Sequence, residues 1–251
     1  MSGARSPSWR RCRFVNRPER SGAQEPGYSE RVLRVAVKLP AAAGRMGDFL
    51  ADVTALEAAG ADSIWLDAWT ETSIEAATEG WIHLGAIAAV THRVRLGMIL
   101  GRGAGWPAAV DAIERLSSGR VVVGMPRGSE AKALFEQLKR WRSASPSPSI
   151  LIICGTYAEA EKSVAPAHGV IVSAGEEEVR ALRAKRGPDR EFELWVDGPV
   201  PADKAGWASM IAALEAAGAT GIIVPWDPRL IDLLRSAGEP DDRSDLLIAT
   251  G

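Results

Sequence analysis

Leu116-Ser-Ser-Gly-Arg-Val-Val-Val-Gly-Met-Pro-Arg-Gly128 is the stretch on which the reading of the fold turns. It reads as a helix end, a stop at Gly119, and a short apolar strand from Arg120 to Met125. Pro126 cannot donate to a sheet ladder, so the strand ends there. Arg127 then falls just past the strand's carboxyl edge, between Pro126 and Gly128. That edge is where parallel α/β sheets bind anions.

Outward from this stretch, strand and helix patterns alternate. Upstream, Leu33–Leu39 is an apolar strand closed by Pro40, and Phe49, Val53 and Leu56 mark a helix that Gly60 caps. Ser63–Leu66 and Val94–Leu100 are further strands, separated by a helix with Leu84, Ile87, Ala88 and Thr91 on one face. A helix after Pro107 leads into the opening stretch. Downstream, a helix over 130–141 and a Pro/Ser-rich turn precede strands at Ile150–Ile153, Val170–Val172, Phe192–Val196 and Gly221–Val224. Helical patterns lie between and after them. The run Ala55-Leu-Glu-Ala-Ala-Gly-Ala61 returns as Ala213-Leu-Glu-Ala-Ala-Gly-Ala219, each copy ending a helix just before a strand. Eight βα units of Val/Ile/Leu strands define an α/β protein, a compact (β/α)8 TIM barrel.

Composition narrows the setting. The chain has 251 residues, a formal charge of −2 and two cysteines, Cys12 and Cys154. It can bury a large core, offers no basic field for nucleic acid, and lacks a disulfide framework, so a reducing, cytoplasmic setting is expected. No apolar run is long enough for a membrane span. Residues 1–30 are rich in Arg, Ser, Pro and Gly, without period. They read as a disordered tail, with the barrel domain over 31–251. Trp9-Arg-Arg-Cys-Arg-Phe14 mimics a twin-arginine signal, but no apolar segment follows it.

Standard catalytic signatures are absent. Gly101-Arg-Gly-Ala-Gly105 would need glycine at Trp106 to match a dinucleotide fingerprint, and there is no P-loop or nucleophile elbow. His83, His92 and His168 have no ligand-spaced partners, so no metal site is expected. Asp67 and Trp69 end the second strand and face the same rim as catalytic candidates, with plain packing the other reading of Trp69. Arg127 fits an anion with its planar fork, or simply pairs with Glu130. Cys154-Gly155-Thr156 and Ser173-Ala174-Gly175 also follow strands. Small residues there let backbone N–H groups approach a phosphate or a ring, or form an ordinary βα turn.

Three runs resemble a known family. Leu56-Glu-Ala-Ala-Gly-Ala-Asp-Ser-Ile-Trp-Leu66 is similar to its helix-turn-strand entry. Ala86-Ile-Ala-Ala-Val-Thr-His-Arg-Val-Arg-Leu-Gly97 is similar to its alanine-rich helix and following strand, and Leu116–Gly124 to its most recognisable run. These resemble the bacterial luciferase-like flavin-dependent oxidoreductases, from about Gly47 to Gly128 and more weakly beyond, where Ala167-His-Gly-Val-Ile-Val-Ser173 stays in register. The resemblance implies a barrel with FMN or a deazaflavin coenzyme (F-420) at its C-terminal rim, and a homodimer. By the resemblance, Arg127 and Gly128 contact the cofactor phosphate, and Gly97, Met98 and Ile99 lie behind the ring. Cys154, Gly155, Thr156, Ser173, Ala174 and Gly175 hold ring and phosphate.

The chain departs from that pattern in two places. The family's histidine after the second strand is missing at Asp67-Ala68-Trp69, and its long insertion after the fourth strand is reduced to one helix. The expectation is an oxidoreductase of monooxygenase type. It would act on a small organic substrate by oxygen insertion with FMN or hydride transfer with a deazaflavin. The alternative is a cofactor-poor homologue serving as a binding or partner subunit. A third reading is an unrelated phosphate-binding barrel enzyme.

Overall fold

The computed structural model describes residues 33–40, 45–67, 74–100, 106–126, 148–162, 167–187 and 192–238. The expected tail, Trp69, Arg127, Gly128, the Gly101–Gly105 loop and the helix over 130–141 lie outside these residues, as does the side chain of Asp67.

Eight strands close a parallel barrel in sequence order, with the first paired to the last. They are β1 (Arg34–Pro40), β2 (Ser63–Asp67), β3 (Arg95–Ile99) and β4 (Val121–Pro126). The second half adds β5 (Ser149–Cys154), β6 (Gly169–Val172), β7 (Glu193–Asp197) and β8 (Gly221–Pro225). The described helices are α1 (Met46–Ala59), α2 (Ile74–Val90) and α3 (Trp106–Ser117), followed by α4 (Tyr157–Lys162) and α5 (Glu176–Arg186). α6 (Lys204–Ala216) and α7 (Leu230–Gly238) complete them. This is the (β/α)8 barrel that the strand count requires. The opening stretch forms the end of α3, a turn through Gly119 at φ 89°, and β4, which runs through Pro126.

Alternate residues of each strand face opposite sides. Val35, Val37, Leu39, Leu66, Leu96, Met98 and their equivalents face outward and bury against the helices. The inward set is a separate apolar cluster of Ala36, Trp65, Val122, Leu151, Ile171, Trp195 and Ile223, with Ile99 and Ile153 packed on it.

Two tryptophans and three glycines fill that interior. A Cβ at Gly97 would fall inside the Trp65 ring, and one at Gly124 would sit 2.9 Å from its Cζ3. A Cβ at Gly221 would fall inside the Trp195 ring. Interiors pack to crystal-like density, so large rings are admitted only where neighbouring strands give up their side chains. Both indole N–H groups are satisfied, Trp65 donating to Ser63 Oγ at 3.1 Å and Trp195 to Glu193 Oε2 at 2.6 Å.

The N-terminal end of the barrel is closed by charge. Arg34 and Arg95 both reach Glu193 at 3.1 Å, and Arg95 also reaches Asp62 at 2.7 Å. The two guanidinium groups lie 5.0 and 5.3 Å from the Trp195 ring, within cation–π range. Burial would raise the Glu193 carboxyl, but Arg95 and Arg34 outweigh it and hold it below the usual carboxylate range.

Candidate active site at the barrel mouth

With one end sealed and the middle full, the C-terminal mouth is the remaining place for chemistry, as in barrels of this kind generally. Two residues above Ala36 on β1 stands Lys38, and two residues above Trp195 on β7 stands Asp197. Both therefore face inward at the rim. Lys38 Nζ lies 3.1 and 3.3 Å from the two Asp197 carboxylate oxygens. The pair reaches across β8, whose Pro225 is the register partner of Lys38 and whose Ile223 is that of Asp197. The lysine side chain is 24% exposed and the aspartate 36%. Beneath them the floor is apolar: Ala36, Trp195 and Ile223.

The loops after β5 and β6 are differently equipped. Gly155 N–H donates to Glu159 Oε2 at 2.8 Å, and Thr156 Oγ1 accepts from Glu159 N–H at 3.4 Å. This is a capping arrangement that starts α4. Gly175 N–H likewise donates to Glu178 Oε2 at 3.1 Å at the start of α5. At both helix N-termini a carboxylate already occupies the amide that a phosphate would use.

The β7 and β8 loops are tied together by Arg229. Its Nε and Nη2 donate to the two oxygens of Asp227 at 2.9 and 2.7 Å, and its Nη1 donates to the carbonyls of Pro201 and Ala202 at 3.3 and 2.7 Å. The Arg229 side chain holds the Asp227 carboxyl below its ordinary value. Asp203 caps α6 by accepting from Gly206 N–H at 2.7 Å.

Against this frame the residues singled out in the sequence take different positions. Gly97 lies inside the barrel against the Trp65 ring, below the mouth. Met98 is 2% exposed and faces the helices, as is Cys154, also 2% exposed, in the outer cluster. Ile99 faces inward, half-buried on the interior cluster. Gly155, Thr156, Ser173 and Gly175 are exposed at the rim, with Ala174 half-buried beside them. Asp67 closes β2, opposite Pro40 of β1. None of the three histidines stands at a strand's carboxyl end: His83 is within α2, and His92 and His168 precede β3 and β6. Among the described residues no group of three His, Cys, Asp or Glu is placed to hold a metal ion. No described helix is long and apolar enough to cross a membrane.

Lys38 and Asp197 were not marked by the sequence reading. The available signal is a lone charge at the end of each apolar run, Val35-Ala-Val-Lys-Leu39 and Leu194-Trp-Val-Asp197. It is the same cue that singled out Asp67.

No family model and no curated protein matches the sequence. Solved structures do match the fold. The coenzyme F420-dependent tetrahydromethanopterin reductase from Methanopyrus kandleri is similar over 82% of this chain and 97% of its own, at TM-score 0.57 and 10% identity. An F420-dependent secondary alcohol dehydrogenase, solved with an F420–acetone adduct, is similar over 81% of this chain and 97% of its own, at 0.57 and 11%. Tryptophan synthase from M. tuberculosis is similar over 82% and 90%, at 0.57 and 17%. At these identities the likeness shows the barrel fold.

Proposed function

We propose that this chain is a small luciferase-like oxidoreductase that binds a reduced deazaflavin or FMN across the barrel mouth. The observation that carries this reading is the filled interior. Trp65 and Trp195 occupy the barrel's centre, so a ligand has to lie on the rim, over the apolar surface that Ile99 and Ile153 extend. A flat ring system suits such a floor, since stacking on it removes apolar area from water without burying unpaired polar groups. The sequence runs that resemble the family support the same reading, as do two F420-dependent enzymes among the similar folds.

The ring fits this floor, but a phosphate does not fit the β5 and β6 loops. One amide on each, Gly155 N–H and Gly175 N–H, is taken by Glu159 and Glu178, whose charge would repel it. The reading therefore puts the cofactor phosphate at Arg127 and Gly128, with Ile99 and Ile153 under the ring. A bound reduced deazaflavin supplies a hydride, and reduced FMN supplies electrons for oxygen activation. The protein's own part is to orient the ring and to keep water from its buried face.

Absorbance and fluorescence titrations with FMN, riboflavin and a deazaflavin test this. Arg127→Ala is expected to weaken FMN by about 10- to 100-fold, the loss of one charge-assisted contact. Riboflavin, which lacks the phosphate, should change little. Equal weakening of both would make Arg127 a packing residue. No spectral change with any of the three would overturn the oxidoreductase reading and leave a binding or partner subunit.

A further inference from the structure

We propose that Lys38 is a carbonyl-capturing amine, which forms an imine with small neutral aldehydes or ketones while Asp197 moves the proton. The inference goes beyond the cofactor reading and holds with or without it.

Placement comes first. Lys38 faces inward at the carboxyl end of β1, on a rigid strand, with its ammonium 3.1 Å from a carboxylate on β7. An amine attacks a carbonyl only once it has lost its proton, and a carboxylate at hydrogen-bond distance offers that proton a route. Asp197 is placed to receive that proton. At 36% exposure the ion pair favours its closed form by no more than about fivefold, so an arriving carbonyl displaces it readily.

The step balances without any co-reactant. Lys38 Nζ gives a proton to Asp197 and attacks the carbonyl carbon, forming a C–N bond. Asp197 returns that proton to the carbinolamine oxygen, then relays a second one from the carbinolamine nitrogen to the resulting hydroxyl. The C–O bond then breaks, water leaves, and a protonated imine remains on Lys38. No electrons are transferred, and water reverses the reaction.

The surroundings set the substrate class. The floor beneath the pair is Ala36, Trp195 and Ile223, which suits an aliphatic chain. The pair itself is charge-balanced. Arg229, a cation on the same rim, already donates to Asp227, Pro201 and Ala202. Neither group favours an anionic substituent, so a small neutral carbonyl compound is the partner this pair suits.

Lys185 is an internal control. It too is paired with a carboxylate, Glu161 at 2.6 Å, but on the outer helices and at 59% exposure. The experiment is reductive trapping of the full chain with propanal and cyanoborohydride, followed by peptide mass spectrometry to obtain an initial rate for each lysine. If accessibility alone governs, Lys185 is modified faster than Lys38. The proposal expects the reverse, with Lys38 at least about tenfold faster. Asp197→Asn should slow Lys38 by about a hundredfold, the lower end for a positioned acid–base group, and leave Lys185 unchanged. Modification of Lys38 no faster than Lys185 overturns the proposal. An unchanged or faster Lys38 in Asp197→Asn overturns it as well, because the carboxylate would then only hold the ammonium. Should the Asn variant fail to fold, the Lys38-to-Lys185 ratio in the unaltered chain decides alone.

Discussion

The run Ala-Leu-Glu-Ala-Ala-Gly-Ala builds one backbone twice, at 55–61 and at 213–219, and meets different neighbours each time. In the first copy Gly60 turns at φ 99°, its N–H donates to Glu57 O at 3.2 Å, and Ala61 N–H donates to Leu56 O at 3.0 Å. In the second, Gly218 turns at φ 88°, with the equivalent bonds to Glu215 O at 2.9 Å and Leu214 O at 3.0 Å. The left-handed glycine closes both helices in the same way.

The glutamates then part company. Glu57 is 9% exposed, and its Oε1 accepts the N–H groups of His92, Arg93 and Val94 at 2.9, 2.6 and 3.0 Å. It therefore holds the turn between α2 and β3. Glu215 is exposed. At both copies an arginine also reaches the backbone, Arg93 Nη2 donating to Glu57 O at 3.3 Å in the first and Arg183 Nε to Gly218 O at 2.8 Å in the second. Local sequence decides how the helix stops, and the adjoining element decides what its glutamate does.

The largest effect should separate the two glutamates. Glu57→Ala leaves three amides short of an acceptor and is expected to cost about 2–3 kcal/mol in urea unfolding. Equal costs for Glu57→Ala and Glu215→Ala would erase the distinction. The glycines come next. Gly60→Ala meets open space and pays only the left-handed penalty, about 1 kcal/mol. Gly218→Ala adds a Cβ 2.8 Å from Arg183 Cγ and should cost measurably more.

The pH response is a finer probe. Burial alone would raise the Glu57 carboxyl, but the amides of Arg93, Val94 and His92, with the Arg93 cation, outweigh it and hold it below the carboxylate range. A depressed value means stability that is present above that range and lost as pH falls through it. Glu57→Gln should therefore lose less stability on acidification than the unaltered chain. At the end of α3, Glu114 works in the opposite sense. Burial raises its carboxyl, one N–H from Val121 lowers it less, and its Oε1 has no hydrogen-bond partner among the described residues. Its contribution is present at low pH and lost as pH rises through its own titration, so Glu114→Gln should flatten that decline. Smallest of all, Glu215→Ala should stay within about 0.5 kcal/mol, as exposed positions usually do.

What the sequence displays of all this follows physical range. The eight strands, the Gly60 stop and the repeated heptapeptide are local, carried by apolar runs and by one residue's φ. The capping pairs Thr156–Glu159 and Gly175–Glu178 are local too, three residues apart, although small residues after a strand also suggest a phosphate loop. Which way a strand residue faces is not visible. Parallel barrel strands are apolar on both sides, so nothing in the Leu96-Gly-Met-Ile99 or Ile152-Ile-Cys154 runs tells inward from outward. Met98 and Cys154 lie on the helix-facing side for that reason. Lys38 and Asp197 are 159 residues apart and meet only because β1 closes against β8.

The interlock of Trp65 with Gly97 and Gly124 also constrains how such a chain can drift. A side chain gained at either glycine collides with the indole, and an indole lost first leaves a void between three strands. Each single step is costly while the combined change need not be, so the centre of the barrel is held by mutual veto. The described rim residues are tied by hydrogen bonds and ion pairs, whose loss opens no void and meets no backbone, so they can change one at a time. The mouth can therefore be re-equipped for a new substrate long before the plug beneath it moves.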